Sequence, residues 1–303
     1  MNPHKTGESP IFAHMVNSFG VSSIRSLVRA ALKEDLGGRG DVTSLATIPA
    51  GSRSRARIIA KQHGILCGMD LAAEVFRQCG GGLAVKRRCR DGTPLRRGRT
   101  VLEIHGNTRG ILAAERTALN FLQRLSGIAT LTRRFVKNSE SRIQNPELRI
   151  LDTRKTTPLL RSLEKYAARC GGGQNHRLGL YDMILIKDNH LAALAAQFSN
   201  PIREAVIRAR KHWPKLKVEV ECDTLAQVRE AVVAGADMIL LDNMMPARLR
   251  RAVRIVAGRA ITEASGGITL RNVHSIARTG VDCISVGALT HSAPALDFSL
   301  EIG

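Results

Sequence analysis

The spacing of apolar positions changes along the chain. From Ser22 to Leu36, residues Ile24, Leu27, Val28 and Ala31 recur at i, i+3, i+4 and i+7, predicting a helix face that Gly37-Gly38 ends. From Ser52 to His105 the pattern shifts to short strand-like runs at Ala56–Lys61, Gly64–Cys67, Leu83–Cys89 and Thr100–His105, with Asp91-Gly92 as a turn signal. This stretch reads as a small antiparallel sheet. A long helical pattern then runs from Ile111 to about Val136, interrupted at Ser126-Gly127.

Beyond Pro146 the pattern becomes regular. Apolar runs recur at Leu148–Leu151, Met183–Ile186, Val218–Val220, Met238–Leu241, Ala260–Thr262 and Cys283–Val286, mostly separated by amphipathic helical stretches. In Pro246–Ala257, Leu249, Ala252, Val253 and Val256 form the apolar stripe, and Arg248, Arg250, Arg251 and Arg254 lie off it. Gly235 and Gly280 each stand just before an Asp and a strand, where a glycine takes the left-handed cap of a helix. Alternating strands and helices demand a parallel sheet. Six strands with modest connections predict a closed or nearly closed β/α barrel, with a doubly wound sheet as the alternative.

Barrel strands deliver functional side chains at their C-terminal ends. There stand Asp152-Thr153-Arg154-Lys155, Lys187-Asp188-Asn189, Glu221, Asp242-Asn243, Ser265-Gly266-Gly267 and Gly287-Ala288. Ser265–Gly267 precedes a helix expected to start near Thr269, so its backbone N–H groups suit an anion. Gly287 follows the last strand, and loops after the final two strands are the recurrent phosphate site of such barrels. The plainer reading is a tight turn and a packing glycine. Arg154-Lys155 pairs a planar fork with a point charge, suited to carboxylate or phosphate, or else forms a solvated basic loop. Pro158 is placed at a first helical turn after it. The run Gly171-Gly172-Gly173-Gln174-Asn175-His176-Arg177 ends in a second cation pair, or is a surface loop with a satisfied histidine. Glu219 and Glu221 alternate with valines, so both carboxylates point inward, with Glu221 nearer the mouth. Glu221 and Asp242 suit sugar hydroxyls and Mg2+. A buried ion pair with Lys155 or Lys187 competes for Glu219.

Charge narrows the partners. The 303 residues carry 46 Lys+Arg against 26 Asp+Glu, a net +20, so the protein meets anions. Lys86–Arg99 holds seven Lys/Arg against one acid, yet lacks the interleaved aromatics of a base-stacking surface, so no specific nucleic acid is expected. Neither a Walker A loop nor a Rossmann fingerprint occurs. Cys67, Cys79, Cys89, Cys170, Cys222 and Cys283 are scattered without a CxxC spacing, which fits reduced thiols in a cytoplasmic protein. No apolar run approaches the roughly 20 residues that span a bilayer.

The phrases Asp152-Thr-Arg-Lys-Thr-Thr-Pro158, Asn175-His-Arg177, Leu185-Ile-Lys-Asp-Asn-His190, Val218-Glu-Val-Glu221, Leu241-Asp-Asn243 and Glu263-Ala-Ser-Gly-Gly-Ile268 resemble the quinolinate phosphoribosyltransferase family. Similarity starts at Ala31-Leu-Lys-Glu-Asp-Leu-Gly37 and also includes Glu115-Arg-Thr-Ala-Leu-Asn120 and Ser126-Gly-Ile-Ala-Thr130. The resemblance implies an α/β fold: an N-terminal α+β open-sheet domain and a C-terminal partial β/α barrel of about six or seven parallel strands. On this reading residues 1–20 are a flexible lead-in, 21–127 form the first domain with the tail 291–303 returning to it, and 128–290 form the barrel. It further implies quinolinate and phosphoribosyl pyrophosphate (PRPP) as substrates, with Mg2+, in a homodimer. Quinolinate would be held by Arg154, His176, Arg177 and Lys187, with Arg116 contributed across the interface. Lys155, Glu221 and Asp242 would serve catalysis, PRPP and its metal, and Ser265, Gly266, Gly267 and Gly287 the 5′-phosphate. A related phosphoribosyltransferase acting on another ring acid is the rival, and a basic nucleic-acid-binding protein the remote one. The surplus charge stays unassigned.

Overall fold

The structure, a computed structural model, describes residues 21–80, 82–140, 145 and 147–303. The lead-in expected over residues 1–20 lies outside them. The strands are β1 (Arg53–Ala60), β2 (Gly64–Ile65), β3 (Ala84–Arg87), β4 (Pro94–Leu95), β5 (Thr100–Asn107), β6 (Arg149–Leu151), β7 (Ile184–Ile186), β8 (Val218–Cys222), β9 (Met238–Asp242), β10 (Ile261–Ser265), β11 (Cys283–Ser285) and β12 (Phe298–Ile302). The chain divides into two compact units. One takes the described residues up to Leu131, with Pro158–Gly172 and Ala293–Gly303; the other takes those of Thr132–Thr157 and Gly173–Ser292.

The first unit is built on an antiparallel sheet of order β12-β1-β5-β3, with a small β2-β4 pair beside it in sequence. One face of the helix Val21–Leu36 buries Ile24, Val28 and Leu32 into an aliphatic core whose largest fully buried side chain is Phe76. Each such side chain contributes roughly 1.5–3 kcal/mol relative to exposure. Phe76 belongs to the helix Met69–Gln78, which interrupts the stretch read from sequence as sheet. Its buried Met69, Ala72, Ala73 and Phe76 follow a helical period, short enough to be lost between strand-like neighbours. Asp91 anchors its start: the carboxylate accepts Gly68 N–H at 3.0 Å, Met69 N–H at 3.1 Å and Tyr166 O–H at 2.8 Å. Cys67 and Cys170 lie close to that carboxylate, and burial holds the Cys67 thiol well above its ordinary pKa.

The expected break at Ser126-Gly127 is absent. The helix Thr108–Glu140 runs through it unbroken. Ser126 Oγ instead accepts Cys67 N–H at 2.9 Å and donates to Cys67 O at 3.1 Å, and a Cβ on Gly127 would fall 2.1 Å from Pro294 O. The small residues mark a close contact, not a stop.

The second unit is a six-stranded parallel sheet of order β6-β11-β10-β9-β8-β7 with helices in the connections, an open β/α barrel. Gly235, at φ +79°, caps the helix Leu225–Ala234, and the chain turns directly toward β9. Asp237 then accepts Val218 N–H at 2.7 Å, and Asp282, in the matching phrase before β11, accepts Thr262 N–H at 2.8 Å. Each aspartate pins the start of the adjacent strand, which sets the register from which the functional strand ends project. Among the described residues, no helix is long and apolar enough to cross a membrane.

Candidate active site

The site grows from the C-terminal end of β6. Gln174 pairs with Leu151 as an isolated parallel bridge, laying the segment after the glycine run along β6. Asp152, fully buried, then accepts Asn175 Nδ2–H at 2.5 Å and His176 N–H at 2.9 Å. The Asn175–Arg177 turn is therefore fastened to the strand end that carries Arg154. Pro158 does not start a helix as expected; it opens a turn, and the helix begins only at Arg161.

Arg154 and Arg177 are brought close enough to repel. Burial, and next the Arg154 charge, hold the Arg177 guanidinium below its ordinary pKa, countered by Glu219 and Asp182. Arg177 Nη1 donates to Met183 O at 3.1 Å. Arg154 Nε is buried without a hydrogen-bond partner among the described residues. An unpaired buried donor on a cation is costly unless an anion arrives to accept it.

Behind this pair lies His176. Its Nδ1 accepts Arg177 N–H at 2.8 Å, which puts the ring proton on Nε2. Nε2 lies 3.0 Å from Glu219 Oε2 and 3.4 Å from Glu263 Oε2. Both glutamates are fully buried, and Glu219 Oε1 and both Glu263 oxygens have no hydrogen bond among the described residues. Burial opposes charging the ring and the two carboxylates outweigh it, but the Arg177 N–H on Nδ1 works against a second ring proton. Burial and the Glu263 charge push Glu219 up to about 7 against the pull of His176 and Arg177. The three donor atoms lie within 4.8 Å of one another, as in a metal site. The proton on Nε2 occupies the lone-pair direction a metal would need. The partner of Glu219 is thus His176, not Lys155 or Lys187, and the ring faces the Arg177 N–H on one side and the two glutamates on the other.

Lys187 and Glu221 pair at the ends of β7 and β8, with Nζ 2.5 Å from Oε2. On the neighbouring strand, Asp242 Oδ2 accepts Asn243 Nδ2–H at 2.6 Å, and Asp242 stands level with Ser265 of β10. Asn243 is left-handed at φ +51°, its N–H donates to Ser265 O at 2.9 Å, and a Cβ on Gly266 would fall 2.1 Å from its Oδ1. Gly266 and Gly267 both have positive φ, +85° and +58°. The helix after them starts at Val273, not near Thr269, so the loop does not sit on a helix N-terminus. Gly267 borders open space, with nothing within 4 Å of a Cβ placed there, while Gly266 packs against Asn243. A Cβ on Gly287 would meet Lys155 Cδ and His291 Nε2, each at 3.1 Å. Gly287 thus lets the Lys155 stem lie across the last strand end, where Thr290 Oγ1 also donates to Lys155 O at 2.8 Å.

Arg116 lies exposed on the helix Thr108–Glu140. Sequence reasoning placed Asn243 at a strand end and Glu263 within a motif phrase, but gave neither a role of its own. Parity was the available signal for Glu263, since it aligns with Cys283 and Leu240 inside a parallel sheet. A lone Asn after a strand, next to a Gly-Gly loop, was the signal for Asn243.

Family models match the chain in two parts. Residues 41–126 match "Quinolinate phosphoribosyl transferase, N-terminal domain" and 128–301 the corresponding C-terminal domain. A "Probable nicotinate-nucleotide pyrophosphorylase [carboxylating]" of Bacillus subtilis is 43% identical over 281 residues, covering 92% of this chain and 93% of that protein. The chloroplastic nicotinate-nucleotide pyrophosphorylase [carboxylating] of Oryza sativa subsp. japonica is 40% identical, covering 92% of this chain and 77% of its own length. The solved nicotinate-nucleotide pyrophosphorylase of Francisella tularensis superposes with a TM-score of 0.85 at 40% identity, covering 92% of this chain and 96% of its own. Human nicotinic acid phosphoribosyltransferase, at 12% identity and a TM-score of 0.59, shares the fold, covering 92% of this chain and 74% of its own.

Proposed function

This chain belongs to the quinolinate phosphoribosyltransferase family, and we propose how its own residues carry out that family's reaction. It is a nicotinate-nucleotide pyrophosphorylase (carboxylating): it transfers the phosphoribosyl group of PRPP to quinolinate with loss of carbon dioxide, yielding nicotinate mononucleotide and pyrophosphate in NAD biosynthesis. The observation that carries the assignment of residues is the crowded Arg154–Arg177 pair with its unpaired buried Nε. Two cations held against their own repulsion suit a ring dianion. Arg154 and Arg177 take its carboxylates, with Lys187 at the rim and Arg116 reaching in from a partner subunit of a homodimer.

Lys155, beside Gly287, faces the pyrophosphate of PRPP, and the Ser265–Gly267 loop with Gly287 receives the 5′-phosphate through backbone N–H groups. The oxygen donors of Glu221 and Asp242, on adjacent strand ends, fit a hard cation, so these residues would hold Mg2+ and the ribose hydroxyls. Bound there, the ion would neutralise charge on the departing pyrophosphate. As that group leaves, Lys155 stabilises it while positive charge builds on the ribose, and the pyridine nitrogen attacks the anomeric carbon. The quaternised ring nitrogen then stabilises the electron pair left on the adjacent ring carbon as its bond to the carboxylate breaks; carbon dioxide departs and that carbon takes a proton from solvent. Protein groups position and neutralise, with no covalent nucleophile. The free cysteines suit a reducing compartment, and we place the enzyme in the cytoplasm.

The test is incubation with quinolinate, PRPP and Mg2+ while following carbon dioxide release. Release that requires all three and fails in Arg154→Ala supports the assignment. Saturable turnover of nicotinate without quinolinate turnover would replace it with the ring-acid rival.

A further inference from the structure

Glu263 has no part in the scheme above, yet the structure keeps it at a physically demanding position. It is fully buried on β10, neither oxygen has a hydrogen bond among the described residues, and its Oε2 lies 3.4 Å from His176 Nε2. Glu219, two strands away on β8, reaches the same nitrogen from the other side at 3.0 Å. A neutral or apolar side chain would avoid the desolvation of a second carboxylate. Glu219 takes the hydrogen bond of Nε2, and the Glu263 carboxylate adds its charge beside the same nitrogen, which together favour one orientation of the imidazole. The opposite ring nitrogen then necessarily faces the Arg177 N–H, and the His176 N–H is held by Asp152.

We propose that Glu263 is a positioning residue for the transfer reaction: with Glu219 it locks the His176 ring, and through Nδ1 that ring fixes the peptide presenting Arg177 to the ring dicarboxylate. The inference rests on the reading of Arg177 as a substrate cation. Its structural half, the locked ring, stands apart from any substrate.

The test combines a spectrum with kinetics. In protein labelled with 15N-histidine, assigned by comparison with His176→Asn, the wild-type His176 ring shows an unprotonated Nδ1 and a protonated Nε2. Glu263→Gln, which keeps the volume, yields a ring signal mixed between tautomers. The same variant raises KM for quinolinate about tenfold while KM for PRPP stays within about twofold. A folded Glu263→Gln with unchanged ring signal and unchanged quinolinate KM overturns the proposal. So does a parallel rise in both KM values tracking lost thermal stability, the mark of a merely structural role. If the variant does not fold, the wild-type spectrum decides: a protonated Nδ1 refutes the lock. Failure of wild-type carbon dioxide release would sink the assigned reaction and leave the spectrum to be judged separately.

Discussion

Lys187 Nζ and Glu221 Oε2 meet at 2.5 Å across adjacent parallel strands, so two charges assigned to different substrates neutralise each other before either substrate is bound. Lys187 is about half exposed and Glu221 nearly buried, at 45% and 11% of side-chain area. Binding must redistribute this pair, so the two residues are energetically coupled. A double-mutant cycle with Lys187→Met and Glu221→Gln, read as kcat/KM, is expected to show losses that fall short of additive by about 1 kcal/mol. Strict additivity would mean that the pair is incidental.

Arg154→Ala removes the buried donor that lacks a protein partner. Because nothing in the unliganded fold depends on that Nε, thermal stability should hold while kcat/KM for quinolinate falls about 100-fold or more, the usual penalty for losing one side of a desolvated charge pair. Arg154→Lys should recover little of it, since a point charge cannot reproduce a planar fork. Steady-state kinetics with a melting curve for each variant checks both statements.

Two glycine substitutions should behave differently. Gly266→Ala combines φ +85° with a Cβ 2.1 Å from Asn243 Oδ1, so the loop must move, and PRPP binding measured by calorimetry should weaken at least ~tenfold. Gly235→Ala has a comparable φ of +79° but meets nothing within 4 Å. It should cost only about 1 kcal/mol of stability, with kinetics unchanged.

Asp237 gives the acid limb of stability. Burial raises its pKa, but the Val218 N–H and the Arg210 guanidinium outweigh burial and hold it below the ordinary 3.8. A carboxylate with a depressed folded pKa contributes stability above its unfolded pKa and loses it as pH falls through the folded value. Wild type should therefore exceed Asp237→Asn in denaturant midpoint at neutral pH, and the gap should close on acidification below about pH 4. A gap independent of pH would exclude the charge as its source.

The strand-and-helix rhythm of the second unit was legible because each parallel strand is a short apolar run ending in polar residues. All six strands fall within a few residues of the runs at Leu148, Met183, Val218, Met238, Ala260 and Cys283. The first unit was harder. Met69–Gln78 was hidden by strand-like neighbours, and β12 has no local signal separating it from a tail, because its partner lies far away in sequence. Ser126-Gly127 misled for a related reason: small residues signal either a break or a tight approach, and only the approaching group, Pro294, decides. At the site, the cations were readable from strand-end position. The contacts of His176 with Glu219 and Glu263 were not, since they join a loop to two separate strands and depend on which ring nitrogen carries the proton.

The pairing of β12 with β1 also constrains how the protein is made. Arg57 and Glu301 are 244 positions apart, and β1 hydrogen-bonds β12 along one edge and β5 along the other. During synthesis the early sheet must wait for residues 298–302, with one edge of β1 open to pairing with another nascent chain. Slow translation or crowded ribosomes would lengthen that exposure, making yield in the cell depend on elongation speed and chaperone supply.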